Sequence, residues 1–183
     1  MARKMIILSV IVTALFCLFF ALHHYLLYPT LLTLTITFFT FSYHLTMRLA
    51  VGYTLNAIIK NKVNYNKKIF QEMPFEKKFF KLIKMHKLKK HAPTFNPKYF
   101  DIKNGLESVI MASCQAEIVH TVIFFLSYLP IVFCIFWNSF WAFFITSVIS
   151  SFIDLYFILL QRYNRPRLIK ALQRQKNRRK SHL

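Results

Sequence analysis

Glu117 and His120 stand three residues apart in an apolar stretch, so a helix would place both on one face. A carboxylate beside an imidazole supports its basicity and fixes its orientation, which suits a general base. His44 and Arg48 end a second polar stripe that starts with Thr33, Thr37 and Thr40, and Gly52 and Asn56 continue it. The threonines are expected to act as interhelical hydrogen-bonding groups. Asp154 follows Ser147 and Ser150 at helical spacing and lies two turns before Gln161 and Arg162. Ionisable groups in lipid are costly, so each calls for a partner or a function. Arg48, Arg162 and His44 are the expected partners of Asp154. Glu-x-x-His is also half of a di-metal carboxylate motif, which needs a second copy and further carboxylates on other helices. Only Asp154 is left to contribute, and no metal is expected.

The elements that must carry these residues follow from composition. Of 183 residues, 56% are hydrophobic, 21 are Phe, and 25 Lys+Arg face 6 Asp+Glu, a net charge of +19. A soluble domain has no place for so much Phe beside so much charge, whereas a bilayer takes the first and leaves the second in the connections. Disorder, collagen and a disulfide scaffold are excluded; Cys17, Cys114 and Cys134 all lie in apolar stretches and read as buried thiols. The expected fold is all-α: a polytopic protein of four transmembrane helices, read as one membrane domain over 1–183. Helices are expected at 5–28, 30–59, 107–136 and 140–160, since about 20 helical residues cross the hydrocarbon. A cytoplasmic segment at 60–106 and a basic tail at 161–183 complete the chain. His23, His24 and Tyr25 are poor cleavage-site residues, so the first helix is read as an uncleaved anchor.

Positive charge sorts by segment. Arg3 and Lys4 precede the first helix, thirteen Lys lie between Lys60 and Lys103, and nine Lys+Arg run from Arg162 to Lys180. The connections at 28–30 and 137–139 have none, and Trp137 and Trp141 sit beside the second of them. The positive-inside rule then puts both termini and the middle segment in the cytoplasm of a multi-pass cell-membrane protein. In the middle segment, Phe75, Phe79, Leu82, Ile83 and His86 recur at helical spacing among Lys77, Lys78, Lys81, Lys84 and Lys87. Residues 74–90 are expected to form an amphipathic helix on the anionic inner leaflet. Its aromatic face and neighbouring spans argue against nucleic acid as the partner. His91 to Pro97 reads as a Pro-broken turn. In this topology His44, Arg48, Glu117, His120, Asp154 and Arg162 all fall toward cytoplasmic helix ends, so they are expected at one depth.

Gln161-Arg162-Tyr163-Asn164-Arg165-Pro166-Arg167-Leu168 leaves the fourth helix as a dense motif. It resembles the C-terminal signature of the glycosyl-4,4'-diaponeurosporenoate acyltransferases, which esterify the sugar of a glycosylated carotenoid with a fatty acid. Ala116-Glu117-Ile118-Val119-His120 is similar to that family's Ala-Glu-apolar-apolar-His element, and Phe75 to Asp101 is similar in character. The resemblance covers roughly residues 70 to 180.

It implies acyl transfer to a hydroxyl of a glycolipid or other lipid acceptor. A fatty acyl thioester, of coenzyme A or a carrier protein, would be co-substrate, with no tightly bound cofactor. His120 would then be the base, Glu117 its orienting partner, His44 a rival base and Asp154 a further catalytic candidate. Arg162 and Arg165 would hold the anionic donor, with Gln161, Asn164, Arg167 and Arg48 completing the binding set and Asn164 or Arg48 serving the oxyanion. Pro166 would end or kink the helix there. Two other classes fit the same residues: a small lipid methyltransferase or reductase, for which the chain has no Gly-rich loop, and a non-enzymatic membrane subunit.

Overall fold

Backbone groups in hydrocarbon must bond to one another, and the apolar stretches meet that demand as helices. The computed structural model describes residues 2–88, 100, 101, 103 and 105–181, with no strand among them. Helix α1 spans Ala2–Leu26 and α2 Pro29–Ile59; α3 is Glu76–Leu82, α4 Met85–Leu88, α5 Leu106–Leu126, α6 Cys134–Trp137 and α7 Phe140–Lys180. Short 3₁₀ turns occupy Lys68–Phe70 and Leu129–Phe133. Three segments, Arg3–Leu26, Leu106–Trp137 and Phe140–Lys180, are long and apolar enough to cross a membrane. Helix α2 is outside that set; its threonines, His44 and Arg48 make it the least apolar of the long helices that begin in the first half of the chain.

The chain divides into two compact units, Met1–Thr54 with Thr121–Leu155 and Leu55–His120 with Tyr156–Leu183. In the first, α1 is tied to α2 by Ser9 and Thr46 at 3.0 Å and by Thr13 and Ser42 at 2.7 Å. Phe39 packs edge-on against Phe133 and Trp137, with ring centroids 5.0 and 5.2 Å away, and buried Phe143 closes the group. The expected threonine stripe behaves differently. Thr33, Thr37 and Thr40 give their hydroxyls to carbonyls on their own helix, a back-bond that satisfies the group without a neighbour. The hydroxyl bonds between α1 and α2 come from Ser42 and Thr46 instead.

In the second unit α2 ends on two left-handed residues, Lys60 and Asn61. The Asn61 amide donates to Gln115 Oε1 at 2.6 Å, and Gln115 Nε2 donates to Asn56 at 2.9 Å. The expected amphipathic helix at 74–90 is broken. Helix α3 stops at Leu82, Lys84 turns left-handed with φ 50, and α4 starts at Met85. The break lets Phe80 and Met85 enter one core with Leu160 and Tyr163, leaving Phe75, Phe79 and Leu82 outside. The turn expected at His91 to Pro97 lies outside the described residues.

Two further expectations change. The helix expected at 107–136 gives way after Leu126 to a 3₁₀ turn with Pro130 in its first turn, where a missing N–H costs nothing. Helix α7, expected to end near Leu160, runs on through Pro166 to Lys180. An interior proline removes a helical bond and costs about 3 kcal/mol. Side-chain anchors of Arg162 and Arg165, before and at this point, hold the helix on course.

Candidate functional site

Arg162 and Arg165 lie three apart on α7, so both point to one side of the helix. Glu117, on α5, meets them there. Arg162 donates from Nη1 to Glu117 Oε1 at 2.7 Å and from Nε to Glu76 Oε1 at 2.5 Å. Its remaining bonds reach the carbonyls of Ile69, at 2.9 Å, and Gln71, at 3.1 Å. Arg165 donates to the other Glu117 oxygen and to the carbonyls of Phe70, at 3.1 Å, and Ser113, at 3.4 Å. Its guanidinium also lies 5.2 Å from the Phe70 ring centre.

Two cations and two carboxylates thus form a neutral network, and Arg165 is only 1% exposed. Such a set is tolerable out of water because each charge is paired and hydrogen-bonded. It ties the 69–76 segment to α5 and α7. Sequence alone does not mark Glu76 as part of the network, since a carboxylate at the start of a helix is accounted for by the helix dipole. Its second oxygen accepts from the Met73 amide at 3.2 Å, which folds the chain back at the α3 start.

His120 lies one turn along α5 from Glu117 and is half-buried. Its ring stacks on Phe157 with centroids 4.8 Å apart and planes 15° apart, which fixes the plane of the imidazole. Gln161 and Asn164 are half-buried on the same stretch of α7. Arg167 is exposed, with its guanidinium 4.0 Å over the Tyr163 ring and a 2.6 Å bond to the Tyr163 hydroxyl. The Tyr65 phenol donates to Glu107 at 2.9 Å, and that bond, more than burial, raises its pKa.

A second polar group forms in the first unit. Arg48 donates from Nη2 to Asp154 Oδ2 at 2.6 Å and to Ser150, at 2.9 Å to Oγ and 3.0 Å to the carbonyl. Ser150 Oγ also lies 3.1 Å from His44 Nδ1 and 3.2 Å from Ser127 Oγ. Asp154 is 1% exposed, and His44 is buried with its Nε2 unpartnered among the described residues. Of the partners expected for Asp154, Arg48 is therefore in place. The six residues expected at one depth sort by unit: His44, Arg48 and Asp154 in the first, Glu117, His120 and Arg162 in the second. Among the described residues no three His, Cys, Asp or Glu come together as a metal site requires.

Helices able to cross a membrane, with a buried arginine–glutamate network and a stacked histidine in the second unit, define a membrane-type protein that is all-helical among the described residues. Residues 66–174 match the family model of glycosyl-4,4'-diaponeurosporenoate acyltransferase, more than half of the chain. The chain belongs to that family. No curated protein and no solved structure matches it. The matched range contains the second-unit network, His120, Ser150 and Asp154; His44 and Arg48 precede it.

Proposed function

We propose that this protein is a multi-pass enzyme of the cell membrane that esterifies a hydroxyl of a glycosylated lipid with a fatty acyl group. The observation that carries this reading is the match to an acyltransferase family over a range that holds both Glu117–His120 and Arg162–Arg167. The acceptor is a glycolipid hydroxyl, and the donor is a fatty acyl thioester of coenzyme A or a carrier protein.

His120 is the general base, because it lies within the matched range and the rival His44 does not. As the acceptor oxygen bonds to the thioester carbonyl carbon, the imidazole takes the hydroxyl proton. The tetrahedral oxyanion then collapses, the C–S bond breaks, and the leaving thiolate recovers the proton from the imidazolium. Glu117, held by both arginines, is a positioning residue, and Arg162 and Arg165 serve it rather than the donor. Asn164 and Gln161 are the nearby groups able to donate to an oxyanion. Exposed Arg167 is the arginine of the motif free to meet donor phosphates on its open side.

His120→Ala should abolish ester formation while leaving the amount of protein in the membrane unchanged, measured on lipid extracts and membrane fractions of expressing cells. Retained turnover together with an inert His44→Ala variant would move the base to α2. A methylated or reduced lipid in place of an ester would assign the second class of enzyme.

The reading includes four spans with both termini in the cytoplasm. Helix α2 supplies the fourth: its threonines bond to their own helix and Arg48 pairs with Asp154, so its polar groups are not left bare in lipid. The positive-inside asymmetry sets the orientation. A cysteine at Ser139 should react with an impermeant thiol reagent on intact cells, and one at Lys103 only after permeabilisation. The reverse pattern would move the site to the outer leaflet, away from cytoplasmic thioesters.

A further inference from the structure

Helix α3 has two unlike sides. Glu76 and Phe80 turn toward α7, where Glu76 takes the Arg162 bond and Phe80 packs at 5.4 Å against Tyr163; both are buried. About 100° round the helix, Phe75, Phe79 and Leu82 form a stripe at i, i+4 and i+7, with exposures of 63, 38 and 79%. Ile69 and Met73, just before α3, are also exposed. Seven lysines lie between Lys67 and Lys87 against two carboxylates. Glu76 is neutralised by Arg162, and Glu72 lies 3.6 Å from Lys77.

A bare aromatic and aliphatic stripe set among lysines is a poor surface for water. It suits an anionic leaflet, where rings enter the acyl boundary and lysine stems lie along them with ammonium groups at the phosphates. We propose that residues 68–84 dock on anionic lipid through Ile69, Phe75, Phe79 and Leu82, and that this docking holds Glu76 on Arg162. Lipid is the occupant because the stripe is apolar at its centre and the surrounding charge is of one sign, complementary to phosphate headgroups. The consequence is regulation: the first residue of the docked helix is a member of the network that positions Glu117. The inference rests on the membrane reading proposed above.

The test uses the full chain in nanodiscs, with Cys17, Cys114 and Cys134 replaced by Ala and a polarity-sensitive thiol probe on Leu82→Cys. In discs of phosphatidylcholine with phosphatidylglycerol, the probe should shift to the blue and be quenched by nitroxide-labelled lipid. Each of Lys77→Gln, Lys78→Gln and Lys81→Gln should lower the ratio of inserted to exposed probe about fivefold, the equivalent of ~1 kcal/mol per lysine at such a surface. Quenching by aqueous iodide in these discs would overturn the proposal and leave the face to a soluble acidic partner. Equal insertion without phosphatidylglycerol would overturn its dependence on anionic lipid. Turnover is followed in parallel. A docked probe in a protein that makes no ester removes the acyltransferase reading alone, and a water-exposed probe in an active enzyme removes the docking alone.

Discussion

Arg165→Lys is expected to destabilise the protein by about 1–3 kcal/mol, the cost of leaving a buried acceptor without its charge-assisted donor. The measurement is the midpoint of thermal unfolding in detergent, with Arg178→Lys on the exposed end of α7 as a control that should not move. Arg165 is 1% exposed and divides its guanidinium between Glu117 and the carbonyls of Phe70 and Ser113. A lysine ammonium keeps the charge but is one point, and it cannot reach three acceptors on two elements at once. Either the Glu117 oxygen or the Phe70 carbonyl would then be buried without this donor. Arg162→Lys should act in the same direction, since it would lose bonds to Glu76, Glu117, Ile69 and Gln71. Activity should fall with the folded fraction, and the KM for the acyl donor should not change in the protein that remains. An unaltered midpoint with a raised donor KM would return both arginines to donor binding and leave Glu117 without its proposed positioning.

The helical class, the residues of the arginine motif and the placing of Glu117 and His120 on one helix are legible in the sequence, because each depends on residue type and short spacing. A long apolar run has one way to satisfy its backbone. What those arginines hold was not legible. The spacing of Arg162 and Arg165 sets their common face, but the carboxylates filling it come from Glu76 and Glu117, 86 and 45 residues away from Arg162. The break in the Lys-rich segment was hidden for a similar reason. Phe75, Phe79, Phe80 and Leu82 all fit one amphipathic helix by composition, and the choice of Phe80 for the interior is made by Tyr163 and Leu160 on α7. Pro166 misled because local preference ends a helix there, whereas tertiary bonds on α7 carry it through. The Arg48–Asp154 pair is one of the few that the sequence allows, since charge at depth limits the choice of partners. The part of Ser150 was less visible: a serine in a polar stripe carries no signal that an arginine and a histidine will converge on it.

Asp154→Leu is expected to remove most of the folded protein from the membrane fraction, and the further change Arg48→Leu to restore it. The single change leaves the Arg48 guanidinium among apolar helices without its carboxylate, after a 2.6 Å charge-assisted bond has been lost. Breaking a buried ion pair by removing one partner costs about 3–5 kcal/mol, because it leaves an uncompensated charge, and that is enough to deplete a marginally stable protein. The double change removes both charges, and replacing a buried pair by apolar side chains of similar size is often neutral. The gain of the double variant over the sum of the two singles is the coupling, expected at about 3 kcal/mol or slightly below for residues in direct contact. Protein level alone would not separate a structural pair from a working one, so turnover per folded molecule is the deciding quantity. His120, Glu117, Arg162 and Arg165 are unchanged in the double variant, so that turnover should return with the protein. An abundant but inert double variant would place the Arg48–Asp154 pair in the chemistry, and would make the Ser150–His44 contact beside it the next position to test.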